Sequence, residues 1–250
     1  MERVVLAMLL AACAVLPPLA TPTLQILEHR VVGNAPPPAA AQALALQSRE
    51  AARARAAAWS VDAPDAVRRM VEAVLTHGDT PPQPFIVIDK QVASMFVIDA
   101  DGGLLGRSAV LLGSAIGDDS VPGIGERPIA LIQPFERTTP AGRFMAAAGR
   151  NSQGEDIVWV DYQAAISMHR VRVVDPREHR LQRLASATPD DNRISYGCIN
   201  VPTEFFDGTI APIFGRGPHA VYVLPEVRSI DSMLRLFDQK YALEKPLAQH

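Results

Sequence analysis

Residues 84–112 read PFIVIDKQVASMFVIDADGGLLGRSAVLL. Phe85 to Ile88 is a short run of β-branched and aromatic residues, which predicts a strand. Asp89-Lys90 reads as a turn, and Ser94 to Ile98 as a second strand. Asp99-Ala100-Asp101-Gly102-Gly103 carries the residues of a tight turn, and Leu104 to Leu112 reads as a third strand. Three short strands joined by turns, with no helical period between them, mark the start of a β-rich region.

Working outward, Ile129 to Pro134, Ile157 to Asp161 and Ala220 to Leu224 are further strand candidates. Gly- and Pro-rich loops separate them. Residues 202–214 and 229–242 have the pattern of short helices. The expectation is a mostly β domain over residues 84–225 with short helices at its margins, and no internal repeat is visible. Upstream, residues 64–83 predict a docking helix and lead-in: Val67, Met70, Val71, Val74 and Leu75 fall on one helical face. Pro64 suits the first turn, with Asp62 as its cap. Residues 21–63 read as an Ala/Pro-rich linker or spacer helix, extended at Pro36-Pro37-Pro38 and helix-prone in the alanine-rich part. Residues 226–250 read as a C-terminal helix.

The first twenty residues, MERVVLAMLLAACAVLPPLA, hold one Glu and one Arg ahead of an apolar run that is short for a bilayer span. That layout is a secretory signal, so the chain is expected to be exported to the periplasm or cell envelope. Leu10-Ala11-Ala12-Cys13 resembles a lipoprotein cleavage box, and cleavage near Ala20 is the alternative. Membrane attachment is expected only if Cys13 is lipidated. The formal net charge is −3 over 250 residues with the two signs mixed. No basic stripe appears, which argues against nucleic acid as a partner. No His, Cys or Asp cluster has metal-ligand spacing, and no cofactor is expected.

The chain has two cysteines, and the second lies in Arg193-Ile194-Ser195-Tyr196-Gly197-Cys198-Ile199-Asn200. With Cys13 in the export segment, Cys198 has no partner for an intramolecular disulfide, which makes it a candidate reactive thiol. Glycine before it opens backbone conformations closed to other residues and lets a substrate carbonyl approach. The Gly197 and Cys198 N–H groups could then stabilise an oxyanion. A free cysteine is also commonly a buried, inert residue, and the segment alone leaves both readings open. A thiol nucleophile needs a base. Of His29, His77, His169, His179, His219 and His250, the best placed is His169, at the end of Ala165-Ile166-Ser167-Met168-His169. A satisfied core histidine is the competing reading.

Residues 85–225 resemble the L,D-transpeptidase catalytic domain of the YkuD type. The resemblance rests on four elements in order: the strand pair Phe85 to Lys90 and Met95 to Asp99, the element Thr139-Pro140-Ala141-Gly142-Arg143-Phe144, the strand ending in His169, and Ser195-Tyr196-Gly197-Cys198-Ile199-Asn200. It implies a β-sandwich or barrel with flanking short helices, Cys198 as nucleophile and His169 as base. Tyr196 stands where the family has His, Arg170 follows His169 where the family has Gly, and the stretch between His169 and Ser195 is long, carrying the charged run Asp175 to Arg183.

The implied activity is cysteine acyl transfer on peptidoglycan stem peptides, through a thioester at Cys198 with release of D-Ala. The acceptor would be a second stem or an envelope protein. Hydrolysis of the same bonds by an L,D-carboxypeptidase or amidase is the alternative, and a catalytically inactive wall-binding scaffold is the third reading. Ser195, Tyr196 and Gly197 are expected to support the oxyanion loop. Arg193 and Arg170 are candidates to pair with a substrate carboxylate. Asn200 is a candidate substrate contact or a brace for the loop. Gly123-Ile124-Gly125 reads as a loop or lid.

Overall fold

The computed structural model describes residues 39–77 and 82–235. The export segment, Cys13 and most of the expected C-terminal helix lie outside them; residues 230–235 are helical. Two helices open the described chain, α1 (Ala39–Ser60) and α2 (Asp65–His77). The strands follow as β1 (Phe85–Asp89), β2 (Ser94–Ile98), β3 (Leu104–Ala109), β4 (Leu112–Gly113), β5 (Gly142–Arg150), β6 (Asp156–Asp161) and β7 (Ile166–Arg170). Helix α3 (Arg180–Ala185) precedes β8 (Arg193–Ser195) and β9 (Ile199–Val201). A helical stretch made of α4 (Thr203–Phe205), a π-turn (Phe206–Ile210) and α5 (Ala211–Phe214) leads to β10 (His219–Val223).

Among the described residues, eight strands form one mixed sheet in the order β3-β2-β1-β10-β5-β6-β7-β9. The mostly β expectation holds. The sheet nearly closes on itself. After β3 the chain leaves β2, and Leu111 exchanges both backbone hydrogen bonds with Asn200 of β9, each 2.9 Å. That crossing ends the predicted third strand at Ala109 and restarts it as β4, which pairs with β8 in a separate two-stranded ladder.

Side-chain alternation puts an apolar layer on each face of the central strands. Ile86, Ile88, Met95, Val97, Val221 and Val223 join one cluster with Phe206, Ile210 and Phe214. Phe85, Val87, Phe96, Ile98 and Tyr222 join the other, with Val67, Met70, Val71 and Val74 of α2 and Ala56 of α1. Strands covered on both faces read as unbroken apolar runs, which is why FIVI and MFVI stand out in the sequence. The α2 stripe is therefore part of the core, and each of its four residues contributes about 2 kcal/mol by burial. Pro64 lies just outside α2, its carbonyl accepting from Arg68 N–H at 3.1 Å.

One predicted strand is replaced. Residues 129–131 and 134–136 form 3-10 turns. Pro128 and Pro134 bracket the run and cannot donate to a ladder, and Ile129, Leu131 and Phe135 are exposed rather than paired.

Candidate functional site

The register of one parallel ladder assembles the site. β7 and β9 pair with Met168 opposite Ile199 and His169 opposite Asn200. Cys198, one residue before β9, thus falls beside Ser167. His169 lies two residues on from Ser167, on the same face of β7. The Ser167 hydroxyl is 3.6 Å from the Cys198 sulfur, and the thiol points at the Ala165 carbonyl, also 3.6 Å away. The His169 imidazole is close enough to act on the sulfur and lower its pKa.

Two opposing effects act on that thiol. Burial pushes its pKa up. Hydrogen bonds from His169 and from the Ser167 N–H, with the imidazole's charge, push it down, and the net result lies below the ordinary thiol value. His169 Nδ1 is 2.8 Å from its neighbour's carbonyl, Arg170 O. A carbonyl only accepts, so Nδ1 carries the proton and Nε2 is the nitrogen available to the thiol.

The turn that presents Cys198 is held from several directions. Ser195 Oγ donates to Cys198 O at 2.6 Å and accepts from Gly197 N–H at 3.1 Å. Thr139, the first residue of the Thr-Pro-x-Gly-x-Phe element, donates to Gly197 O at 2.8 Å and accepts from Gly113 N–H at 2.9 Å. Gly197 has φ +125°, and a Cβ there would lie 2.7 Å from both Ile166 Cδ1 and Thr138 O. Glycine is required on both counts. Asn200, 1% exposed, donates to Cys198 O at 3.3 Å, while its Oδ1 accepts from Arg180 at 2.6 Å. The charged insert thus reaches the site through α3.

The other expected residues have partners of their own. Arg193 pairs with Glu226 and donates to Lys90 O at 2.8 Å. Arg170 pairs with Asp207 at 2.5 Å and stacks on Phe206. Tyr196 is exposed at the rim, its ring 3.9 Å beneath the Arg137 guanidinium. Ile124 and Gly125 sit in a 3-10 turn against the β6–β7 connection.

Sequence reasoning missed Ser167, Thr139, Arg137 and a buried ionic cluster. Lys90, in the stretch read as a turn, is 1% exposed. Its ammonium meets Asp118 at 2.9 Å and Glu226 at 3.3 Å and donates to Thr139 O at 2.9 Å. Burial raises the Asp118 pKa, but N–H groups of Arg228 and Glu226 and the Lys90 ammonium outweigh it and hold it at about 2. Ser167 was within reach of the sequence, because it shares the strand face of His169. Among the described residues, no group of three or more His, Cys, Asp or Glu side chains is placed to hold a metal ion. No described helix is long and apolar enough to cross a membrane.

No protein-family model matches the sequence, and no curated protein matches it. Among solved structures, the chain is similar to the helical cell shape determining protein Pgp2 (K307A mutant) from Campylobacter jejuni, at 11% identity and a TM-score of 0.41 over 72% of this chain and 64% of that one. It is similar to Mycobacterium tuberculosis L,D-transpeptidase 1 at 16% identity and 0.33, over 56% of this chain and 61% of that one. The catalytic domain of the E. faecium L,D-transpeptidase matches at 17% and 0.32, over 58% of this chain and 100% of that one. The chain therefore spans less than two thirds of the first two. At these TM-scores the likenesses carry no functional reading.

Proposed function

We propose that this chain is a peptidoglycan L,D-transpeptidase, a cysteine acyltransferase working outside the cytoplasmic membrane. The observation that carries the reading is the placement of the Cys198 thiol 3.6 Å from Ser167 Oγ, on the strand face that also carries His169, and the direction of its pKa, below the ordinary value, agrees. An inert structural cysteine has the opposite property, because burial alone would raise it. The ordered resemblance of residues 85–225 to the family supplies the substrate class.

In this reading His169 Nε2 takes the thiol proton, and the sulfur attacks the carbonyl of the third stem residue. The Cys198 N–H stabilises the oxyanion, because the Gly197 N–H is engaged by Ser195 Oγ. As the carbon–nitrogen bond to D-Ala breaks, His169 returns the proton to the leaving amine. A primary amine then attacks the thioester, forming the new amide and freeing the sulfur. Water in its place would give a carboxypeptidase.

Intact-mass spectrometry after exposure to a carbapenem tests the nucleophile. An adduct on the wild type and none on Cys198→Ala is expected. An unmodified wild type, equally inert to small alkylating agents, would leave the chain a scaffold. A tetrapeptide stem given with excess amine separates transfer from hydrolysis: a tripeptide as sole product would overturn the transpeptidase.

A further inference from the structure

In the long stretch between β7 and β8, Asp175 accepts from the Arg177 N–H at 2.9 Å and from its side chain at 2.7 Å. Arg183 donates to Glu178 O and Asp191 O, each at 2.7 Å. These bonds stay within the insert, and Arg180 reaches out of it. His179, with φ +51°, ends the 3-10 turn at Pro176–Glu178, so that α3 opens on Arg180. Arg180 Nε donates to the Glu178 carboxylate at 2.6 Å, and its Nη1 donates to Asn200 Oδ1, also at 2.6 Å. The arginine side chain is 15% exposed. One planar fork thus ties the inserted helix to β9.

A guanidinium only donates, so the Asn200 amide has its oxygen toward Arg180 and its nitrogen toward Cys198 O, at 3.3 Å. With no cation there, the amide could turn and set oxygen against oxygen. Asn200 is buried and lies opposite His169 in the β7–β9 ladder. Ser195 Oγ is the second donor on Cys198 O. Two donors fix the direction of that carbonyl, and with it the Cα that carries the sulfur. The Arg180 charge is matched by Glu178 at 2.6 Å, so its effect on the thiol is one of orientation and not of field.

We infer that Arg180 is a positioning residue for the nucleophile: through the Asn200 amide it sets the Cys198 carbonyl, and thereby aims the thiol along the strand face of His169. Asn200 is then a brace and not a substrate contact. The inference rests on the acyl-transfer reading for its consequence, and it gives the inserted helix a part in the reaction. A lysine serves less well, because one ammonium lacks the flat fork that meets Glu178 and Asn200 at once.

The rate of Cys198 acylation by a carbapenem, followed by intact mass, tests this role. Arg180→Met should slow acylation about tenfold, short of the ~100-fold that a full ångström of misplacement costs. The midpoint of its alkylation profile against pH should move upward, because the sulfur is no longer aimed along the face of His169. Arg180→Lys should move both in the same direction by less, and it keeps a cation opposite Glu178 should the methionine variant not fold. Asn200→Ala should also slow acylation, and combining it with Arg180→Met should add nothing further, since the arginine acts through the amide. Arg183→Met loosens the same insert without touching Asn200 and should acylate at the wild-type rate. Wild-type acylation and an unmoved midpoint in the folded Arg180 variants overturn the inference. So do additive losses in the double variant, or equal slowing in Arg183→Met, because the insert would then act by its stability alone. A wild type that is not acylated overturns the acyl-transfer reading instead, and the alkylation profiles still read Arg180 against Asn200.

Discussion

The hydroxyl of Thr139 donates to the carbonyl of Gly197 at 2.8 Å across 58 residues of sequence. One side chain thereby fixes the turn that carries the thiol, and its remaining capacity takes the Gly113 N–H. Thr139 is fully buried, so its loss strands two polar groups. Thr139→Val should cost about 2 kcal/mol in chemical denaturation and slow Cys198 acylation. Thr139→Ser should recover most of both. Wild-type acylation in the valine variant would remove the hydroxyl from the positioning of Cys198.

The thiol should react at lower pH than an ordinary cysteine. Alkylation measured against pH should rise with a midpoint below the ordinary thiol range, because His169 and Ser167 stabilise the thiolate. His169→Ala removes the leading stabilising partner, so its midpoint should move upward while the circular dichroism spectrum is retained. Superimposed profiles would separate the imidazole from the sulfur.

Gly197→Ala introduces a Cβ 2.7 Å from a backbone oxygen and a methyl group at a positive φ. The turn must shift to relieve this. Acylation should fall at least tenfold, with a loss of about 1–3 kcal/mol in stability. Stability and acylation both unchanged would show that the turn has another conformation to adopt.

The buried ionic cluster sets an acid limit. Asp118 titrates at about 2 in the folded protein, against an ordinary value of 3.8. Its folded pKa is depressed, so its contribution is complete above about pH 4 and disappears as pH falls toward 2. The size is about 2 kcal/mol. Denaturation midpoints between pH 5 and 2 should show it, and Asp118→Asn should flatten that part of the curve. Lys90→Met leaves Asp118 and Glu226 facing each other without their shared cation, at a cost of about 3–5 kcal/mol.

Much of the frame was legible because central strands covered on both faces advertise themselves as apolar runs. β1, β2, β6 and β10 fall within a residue or so of their expected places. β5 did not announce itself: Arg143-Phe144-Met145-Ala146-Ala147-Ala148 holds no β-branched residue, and its strand state comes from pairing with β10 and β6. Residues 129–134 misled for the converse reason, apolar side chains without a ladder partner. Cys198 stood out as a candidate by type and position, and the family resemblance singled out His169. The roles of Thr139, Lys90 and Glu226 could not be read there, because they depend on contacts that only the folded topology creates.

The strand that opens the sheet lies beside the strand that ends it: β1 pairs in parallel with β10, Ile86 opposite Val221 and Ile88 opposite Val223. Every residue of the thiol site lies between them in sequence, and Glu226, just beyond β10, closes the charge cluster behind Thr139. A chain made only as far as Gly217 has neither the middle strand of its sheet nor the Glu226 carboxylate that meets Lys90. Closing so long a loop comes late, after local pairings have formed. The surroundings of Cys198 are thus complete only once β10 stands between β1 and β5.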